Sequence, residues 1–326
     1  MKAIVVSEFG GENVLRYQET ALPEPGENEV RIAISATGVN PVDTYIRSGN
    51  YGRLPQLPYT PGTDGAGIVD KVGTGVSHLK TGQRVFVAAS LAKRNTGTYA
   101  DYVVCDGSAV QPLPDASTFS QGAGLGTPGL AATYALFSRA NLKPGETVLI
   151  HGATGGVGTL AVQLARQTGA FVIGTSGSAE GVAVLQDIGA HLVFNHREDG
   201  YLDKIREAIP AGLNVIIEML ANVNLVKDLS LVAVHGRIAV VGNRGSLDFN
   251  PRDIMSKDAA VHGIMVNNMP HEMFRENMFR LSAALENGLR VVVNQELPLR
   301  DAPQAHKAVL EGSGPGKIVL IKQAGE

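Results

Sequence analysis

Two hydrophobic rhythms divide this chain. Up to about residue 120, apolar positions come in short Val- and Ile-rich runs: Lys2 to Ser7, Glu29 to Thr37, Gly65 to Val72 and Arg84 to Ala88. Turn-forming stretches such as Pro23-Glu-Pro-Gly26 and Leu57-Pro-Tyr-Thr-Pro-Gly62 cut them apart, which predicts a β-rich, partly barrel-like domain. From Thr147 onward, apolar runs alternate with helix-length segments. The predicted strands are Thr147 to His151, Phe171 to Thr175, Leu192 to Asn195, Asn214 to Met219, Arg237 to Gly242 and Val261 to Val266. The predicted helices between them include Gly156 to Gln167, Ala179 to Ile188 and Tyr201 to Ile209. Strands apolar on both faces and separated by helices imply a doubly wound parallel sheet, and six strands make the full dinucleotide-binding complement.

Beyond Val266 the pattern predicts a helix at His271 to Asn287, a short strand, a helix at Ala302 to Glu311 and a last strand at Lys317 to Lys322. This tail is expected to return to the first domain. The fold class is therefore α/β, with a six-stranded Rossmann domain (123–266) inserted in a β-rich domain (1–122 plus 267–326).

Composition narrows the function classes. The chain has 326 residues, 44% of them hydrophobic and 18% charged, as in an ordinary globular protein. Lys plus Arg number 28 against 31 for Asp plus Glu, so the net charge of -3 gives no general pull toward nucleic acid. Cys105 is the only cysteine, which forbids an intrachain disulfide and points to a reducing compartment, the cytoplasm. The apolar run after Met1 is too short for a signal peptide, and no run is long enough to predict a membrane span.

The stretch Thr147-Val-Leu-Ile-His-Gly-Ala-Thr-Gly-Gly-Val-Gly158 carries the clearest chemistry. It is a strand, a glycine turn and a helix in the order that binds a pyrophosphate. Ala153 stands in the first position of the glycine pattern and is small enough for the tight turn. Gly155 lets backbone approach the phosphates, and Gly158 lets helix and strand pack closely. The second strand ends Ile173-Gly-Thr-Ser-Gly-Ser178, without the acid that would hold a free ribose 2′-hydroxyl. A carboxylate there would repel a 2′-phosphate, so the cofactor expected is NADPH. The nearest basic candidates are His196, Arg197 and Arg244, with His196 equally readable as a solvated loop histidine.

The first domain offers no metal. A structural zinc needs four close cysteines, and the eight histidines contain no His-x-x-x-His and no Cys-His pair at ligand spacing. A short-chain dehydrogenase is excluded too, because no Tyr is followed four residues later by Lys. Without a Lewis acid, the accessible reaction is hydride transfer to an electron-poor acceptor, a quinone or an activated C=C bond. In Gly38-Val-Asn-Pro-Val-Asp-Thr-Tyr-Ile-Arg-Ser-Gly49, Asn40 and Tyr45 are catalytic candidates, since both donate without ionising. Asn40-Pro41 and Asp43 also fit the start of a short helix, and capping is the better reading for Asp43. Tyr51 and Tyr59 are candidate walls of a substrate pocket or ordinary surface tyrosines. The Thr127 hydroxyl either reaches the cofactor or caps a helix.

At these residues the chain resembles the zinc-free quinone oxidoreductase family, in its zeta-crystallin branch, within the medium-chain dehydrogenase/reductase superfamily. The likeness is densest in the two segments just quoted, in Phe194-Asn-His-Arg-Glu198, in Ile217-Glu-Met-Leu-Ala-Asn-Val-Asn-Leu225 and in Asn250-Pro-Arg-Asp253. It implies a GroES-like first domain, NADPH as cofactor and a homodimer or homotetramer. It implies NADPH contacts at Tyr45, Thr154, Gly155, Gly156, Val157, Gly177, His196, Asn224, Val241, Gly242, Asn243, Arg244, Ile264, Met265 and Val266. Gly181 stands where many bacterial relatives carry a Lys for the 2′-phosphate, and the loop Ser90 to Gly97 is longer than the family's usual turn. Two alternatives stay open: reduction of enones or 2-enoyl thioesters, for which Lys93-Arg94 would be the landing patch of a coenzyme A, and a non-catalytic role as a crystallin-like structural protein or a binder of AU-rich RNA.

Overall fold

A computed structural model describes residues 1–312 and 314–322. The chain separates into two compact units, 1–128 with 282–326 and 129–281. The sequence-based boundaries were 122/123 and 266/267. Both divisions fall inside helices, which periodicity alone does not mark as boundaries.

The first unit opens with β1 (Lys2–Val5) and β2 (Arg16–Glu19), paired antiparallel. Next come β3 (Glu29–Gly38), the short helix α1 (Pro41–Arg47), β4 (Asp64–Val72), β5 (Arg84–Ala88), β6 (Tyr102–Asp106) and β7 (Val110–Pro112). Two helices follow, α2 (Phe119–Ala123) and α3 (Gly126–Thr133). α2 opens with a capping box in which the Thr118 hydroxyl accepts from Gln121 N and the Gln121 side chain accepts from Thr118 N. The pattern did not mark β2, β6, β7 or α2, because each is only three to five residues long and lacks a repeated period.

The second unit holds the six expected strands: β8 (Thr147–Ile150), β9 (Phe171–Ser176), β10 (Leu192–Asn195), β11 (Leu213–Glu218), β12 (Val232–Val240) and β13 (Ala260–Gly263). Its helices are α4 (Gly156–Gln167), α5 (Ala179–Asp187), α6 (Tyr201–Ala208), α7 (Ala221–Leu231) and the single turn α8 (Arg252–Met255). All pairings in this sheet are parallel, in the order β10-β9-β8-β11-β12-β13. The order reverses between β8 and β11, where an open α/β sheet leaves a crevice at the strands' carboxyl ends. Leu149, Ile173, Ile216, Leu225, Leu229 and Ile238 form the core between sheet and helices. The sixth strand stops at Gly263, so Ile264 to Val266 lie past it rather than within it as expected.

The long helix α9 (His271–Glu286) leads into β14 (Val293–Pro298), α10 (Ala302–Glu311) and β15 (Lys317–Ile321). β15 pairs antiparallel with β3, which carries the tail into the sheet β14-β15-β3-β4-β5-β7, with β6 also on β3. No described helix is long and apolar enough to cross a membrane.

Candidate functional site

The glycine turn folds as its residues dictate. His151 N donates to Ile217 O at 3.0 Å, carrying β8's ladder one residue further. The chain then turns at Gly152, whose φ of 53° suits glycine, and Gly152 N donates to Thr175 Oγ1 at 3.1 Å. Gly155 caps α4 with no side-chain acceptor, so the amides of the first turn are offered to an anion, aided by the helix dipole. A Cβ on Gly158 would sit 2.6 Å from the Ala153 Cα, which is why that position admits only glycine.

The carboxyl ends of the other strands gather the remaining candidates within this unit. Gly177 follows β9, and a Cβ there would lie 2.9 Å from His196 Nε2 and 3.0 Å from Arg197 Nε. Both basic residues therefore stand over the end of β9, where the sequence lacks an acid. A Cβ on Gly181 would overlap Ser176 Oγ, so a lysine has no room at that position. Asn243 Oδ1 accepts from Asn222 N and Asn222 Oδ1 accepts from Arg244 N, both at 3.0 Å, tying the loop after β12 to the first turn of α7. Ile264 is buried and its N–H donates to Val240 O at 2.9 Å, whereas Met265 is 49% exposed.

Asn224, implied as an NADPH contact, is held within α7. The N-cap of α7 is Leu220, and Asn224 sits inside the first turns, where Nδ2 donates to Glu218 Oε1 at 3.2 Å. Glu218 also accepts the Leu220 N–H, so the carboxylate ending β11 is what caps α7.

The first unit treats its candidates differently. Asn40 is 3% exposed, and both ends of its amide are used: Nδ2 donates to Asp64 Oδ2 and Oδ1 accepts from Lys317 Nζ, each at 2.7 Å. It is a partner in a buried network, not a donor facing substrate. Asp43 takes the capping role, accepting from Asn40 N at 2.8 Å. Thr127 gives both its N–H and its hydroxyl to Asp64 Oδ1, at 2.8 and 2.7 Å, so its hydroxyl is held inside the unit. Burial pushes the Asp43 carboxyl up to about 7, with the neighbouring Asp64 charge adding to it. Burial pulls the Lys317 ammonium down, while the charges of Asp64 and Asp43 oppose that.

A groove of roughly 700 Å³ lies in this unit, lined by Asp43, Ile46, Pro58, Tyr59, Thr63 and Asn95 among others. Tyr59 lines it, and its hydroxyl is buried without a hydrogen-bond partner. Tyr45 and Tyr51 are half-buried but do not line this groove. Arg94 of the 90s loop pairs with Glu29 Oε2 at 2.5 Å, and Lys93 is exposed beside it.

Residues 26–148 match the family model "Alcohol dehydrogenase GroES-like domain", and residues 156–284 match "Zinc-binding dehydrogenase". A quinone oxidoreductase of Pongo abelii is 46% identical over 325 residues, 98% of each chain. The chain belongs to the quinone oxidoreductase family. Another relative in it, quinone oxidoreductase of Escherichia coli complexed with NADPH, superimposes with a TM-score of 0.87 at 32% identity, over 98% of this chain and 100% of that one. An NAD-dependent alcohol dehydrogenase reaches 0.90 at 28% identity, over 99% and 100%, so the shared fold does not choose the reaction.

This quinone oxidoreductase-family chain does not fit the zinc in the second model's description. Cys105 is buried in β6, paired with Val30, and burial pushes its thiol far up, away from the thiolate a metal needs. Asp43 and Asp64 are taken by hydrogen bonds. Among the described residues one group has ligand atoms close enough for an ion, His151, Glu218 and Asp228. It lies beside the glycine turn of the second unit, and periodicity gave no sign of it because its members come from three elements.

Proposed function

We propose that this protein is a zinc-independent, cytoplasmic NADPH-dependent reductase of quinones. The observation that carries the reading is the carboxyl edge of the parallel sheet. There an uncapped α4 N-terminus stands next to a β9 end that has His196 and Arg197 over it and no carboxylate. The turn from Thr154 to Val157 binds the pyrophosphate at the start of α4, Gly177 leaves space for the adenosine ribose, Arg197 supplies charge to its 2′-phosphate and His196 a hydrogen bond. Asn224, Val241 to Arg244 and Ile264 to Val266 complete the cofactor's bed along β11, β12 and β13. Bound NADPH supplies a hydride from C4 of its nicotinamide; a quinone takes it with a proton from water and leaves as hydroquinone. Within the first unit Tyr45 orients the substrate, Thr127 secures the Asp64 network, and Tyr59 walls the groove.

Quinones are favoured over 2-enoyl thioesters by the 90s loop. Arg94 is engaged by Glu29, which leaves Lys93 alone to meet a coenzyme A phosphate. An oligomer is supported by β13, an edge strand of the parallel sheet with Val261 exposed. Light scattering is expected to give a dimer or tetramer. Steady-state NADPH oxidation with ortho- and para-quinones, enones and enoyl thioesters tests the reaction. Turnover is expected with quinones, and none with any quinone tried refutes the assignment.

A further inference from the structure

Three buried side chains beside the glycine turn have no role in the scheme above. His151 directly precedes Gly152, Glu218 ends β11, and Asp228 lies on α7. They are 3%, 0% and 0% exposed. His151 Nε2 lies 2.8 Å from Asp228 Oδ1 and 3.7 Å from Glu218 Oε2. Glu218 Oε1 is occupied by Leu220 N and Asn224 Nδ2, but Glu218 Oε2 and Asp228 Oδ2 are buried with no hydrogen-bond partner. Two naked carboxylate oxygens in an apolar core would cost several kcal/mol each if both groups were ionised. A proton between them removes that cost. An ion at the centre fits less well, because ligands about 2.1 Å from a metal stand farther apart than the 2.8 Å of the His151–Asp228 contact, which has hydrogen-bond length.

We infer that His151, Glu218 and Asp228 form a proton-sharing clasp, with Glu218 as a neutral acid donating to Asp228 and Asp228 accepting from His151, and that the clasp positions the glycine turn for NADPH. His151 connects to the turn through the backbone. Glu218 holds the start of α7 through Leu220 and Asn224, and its carbonyl accepts Val241 N at 2.8 Å. The clasp therefore joins three of the segments assigned to the cofactor. Other groups face it from each neighbouring element. Lys227 on α7 disfavours charge on His151, His196 after β10 senses His151, and Tyr201 on α6 feels both carboxylates. Burial and the Asp228 charge push the Glu218 carboxyl up to about 7. Loss of its proton places a new negative charge beside the pyrophosphate and breaks the carboxyl–carboxylate bond. His151, Glu218 and Asp228 act as positioning residues.

The inference rests on the glycine turn being the NADPH site, and its test separates the two. Kd for NADPH and for NADH is measured by nicotinamide fluorescence from pH 7 to 9. Affinity for both is expected to fall about tenfold across that window, because the turn and not the 2′-phosphate responds. Glu218→Gln retains a donor toward Asp228 and is expected to give a flat profile at the low-pH affinity. Difference infrared spectra at pH 6 are expected to show a protonated carboxylic-acid carbonyl band in the parent protein that Glu218→Gln lacks, with or without cofactor. Glu218→Gln following the parent's pH profile, absence of the infrared band, or a stoichiometric divalent metal in the purified protein that Asp228→Asn loses would each overturn the clasp. NADPH failing to bind at every pH refutes the proposed function instead, and the infrared band still decides the shared proton.

Discussion

Each unit of this protein buries one basic side chain between two carboxylates, and the two sets are satisfied in opposite ways. In the first unit, Lys317 faces Asp43 and Asp64, and the surrounding chain meets these groups with donors and acceptors. Asp64 takes bonds from Thr127 and Asn40, Asp43 from Asn40 N, and Lys317 Nζ gives to Val39 O at 2.6 Å and Asn40 Oδ1. In the second unit, His151 faces Glu218 and Asp228, and two carboxylate oxygens are left to each other. A buried charge set closed by fixed partners is a structural device that is costly to break. A set closed only by a proton is cheaper to disturb and changes character near neutral pH.

The contrast sets the expected scale of each perturbation. The largest effect should come from breaking the closed set. Asp64→Ala leaves the Lys317 ammonium buried against a single carboxylate and is expected to cost about 3–5 kcal/mol, read from the urea unfolding midpoint. A loss below 1 kcal/mol would mean the first network is not closed as described. Next comes the glycine turn: Gly158→Ala forces a methyl against Ala153 and is expected to cost about 1–3 kcal/mol of NADPH binding by titration, with the circular dichroism spectrum retained. Replacing His196 and Arg197 together with Ala should weaken NADPH about tenfold, about 1.4 kcal/mol, and leave NADH unchanged. Equal losses for the two cofactors would remove these residues from the 2′-phosphate.

An effect seen only on acidification belongs to His306, which is buried beside Tyr99. Burial and the Arg47 charge pull its pKa down to about 3. The unfolded chain takes up the proton near 6.5 and the folded one does not, so the stability His306 contributes is full above that pH. It is lost as pH falls from 6.5 toward 3, at about 1 kcal/mol per pH unit. His306→Gln should flatten that slope in urea midpoints measured between pH 7 and 4.5. The smallest expected effect is none: prolonged chelation should leave NADPH oxidation unchanged, and lost activity restored by zinc would overturn the reading of both carboxylate sets.

Much of the second unit was legible in advance because its signals are local. Apolar runs with a helix between them mark βαβ units, and α4 runs from Gly156 to Gln167 as the pattern predicted. The glycine spacing and the missing acid after β9 lie within about thirty consecutive residues, the span of one such unit. The first unit hid more. β6 and β7 are short and take their place from pairing with β3 and β5, not from their own period. Asn40 was read as a free donor because nothing near it in sequence reveals Lys317, which reaches it from the far end of the chain. The carboxyl that holds Leu220 and Asn224 at the start of α7 likewise comes from another element, the preceding strand.

The sequence by itself determined the parallel-sheet unit, the glycine turn between strand and helix, the absence of an acid at the end of β9 and the lack of cysteine for a four-cysteine zinc site. Each follows from residue types at fixed short spacing. Only the tertiary structure decided which polar side chains are spent on one another, that Arg197 joins His196 over Gly177, and that His151, Glu218 and Asp228 meet. Those outcomes depend on burial and on contacts between distant segments. A polar group's chemistry is set by the partners and the dielectric around it, and neither is written at its own position in the chain.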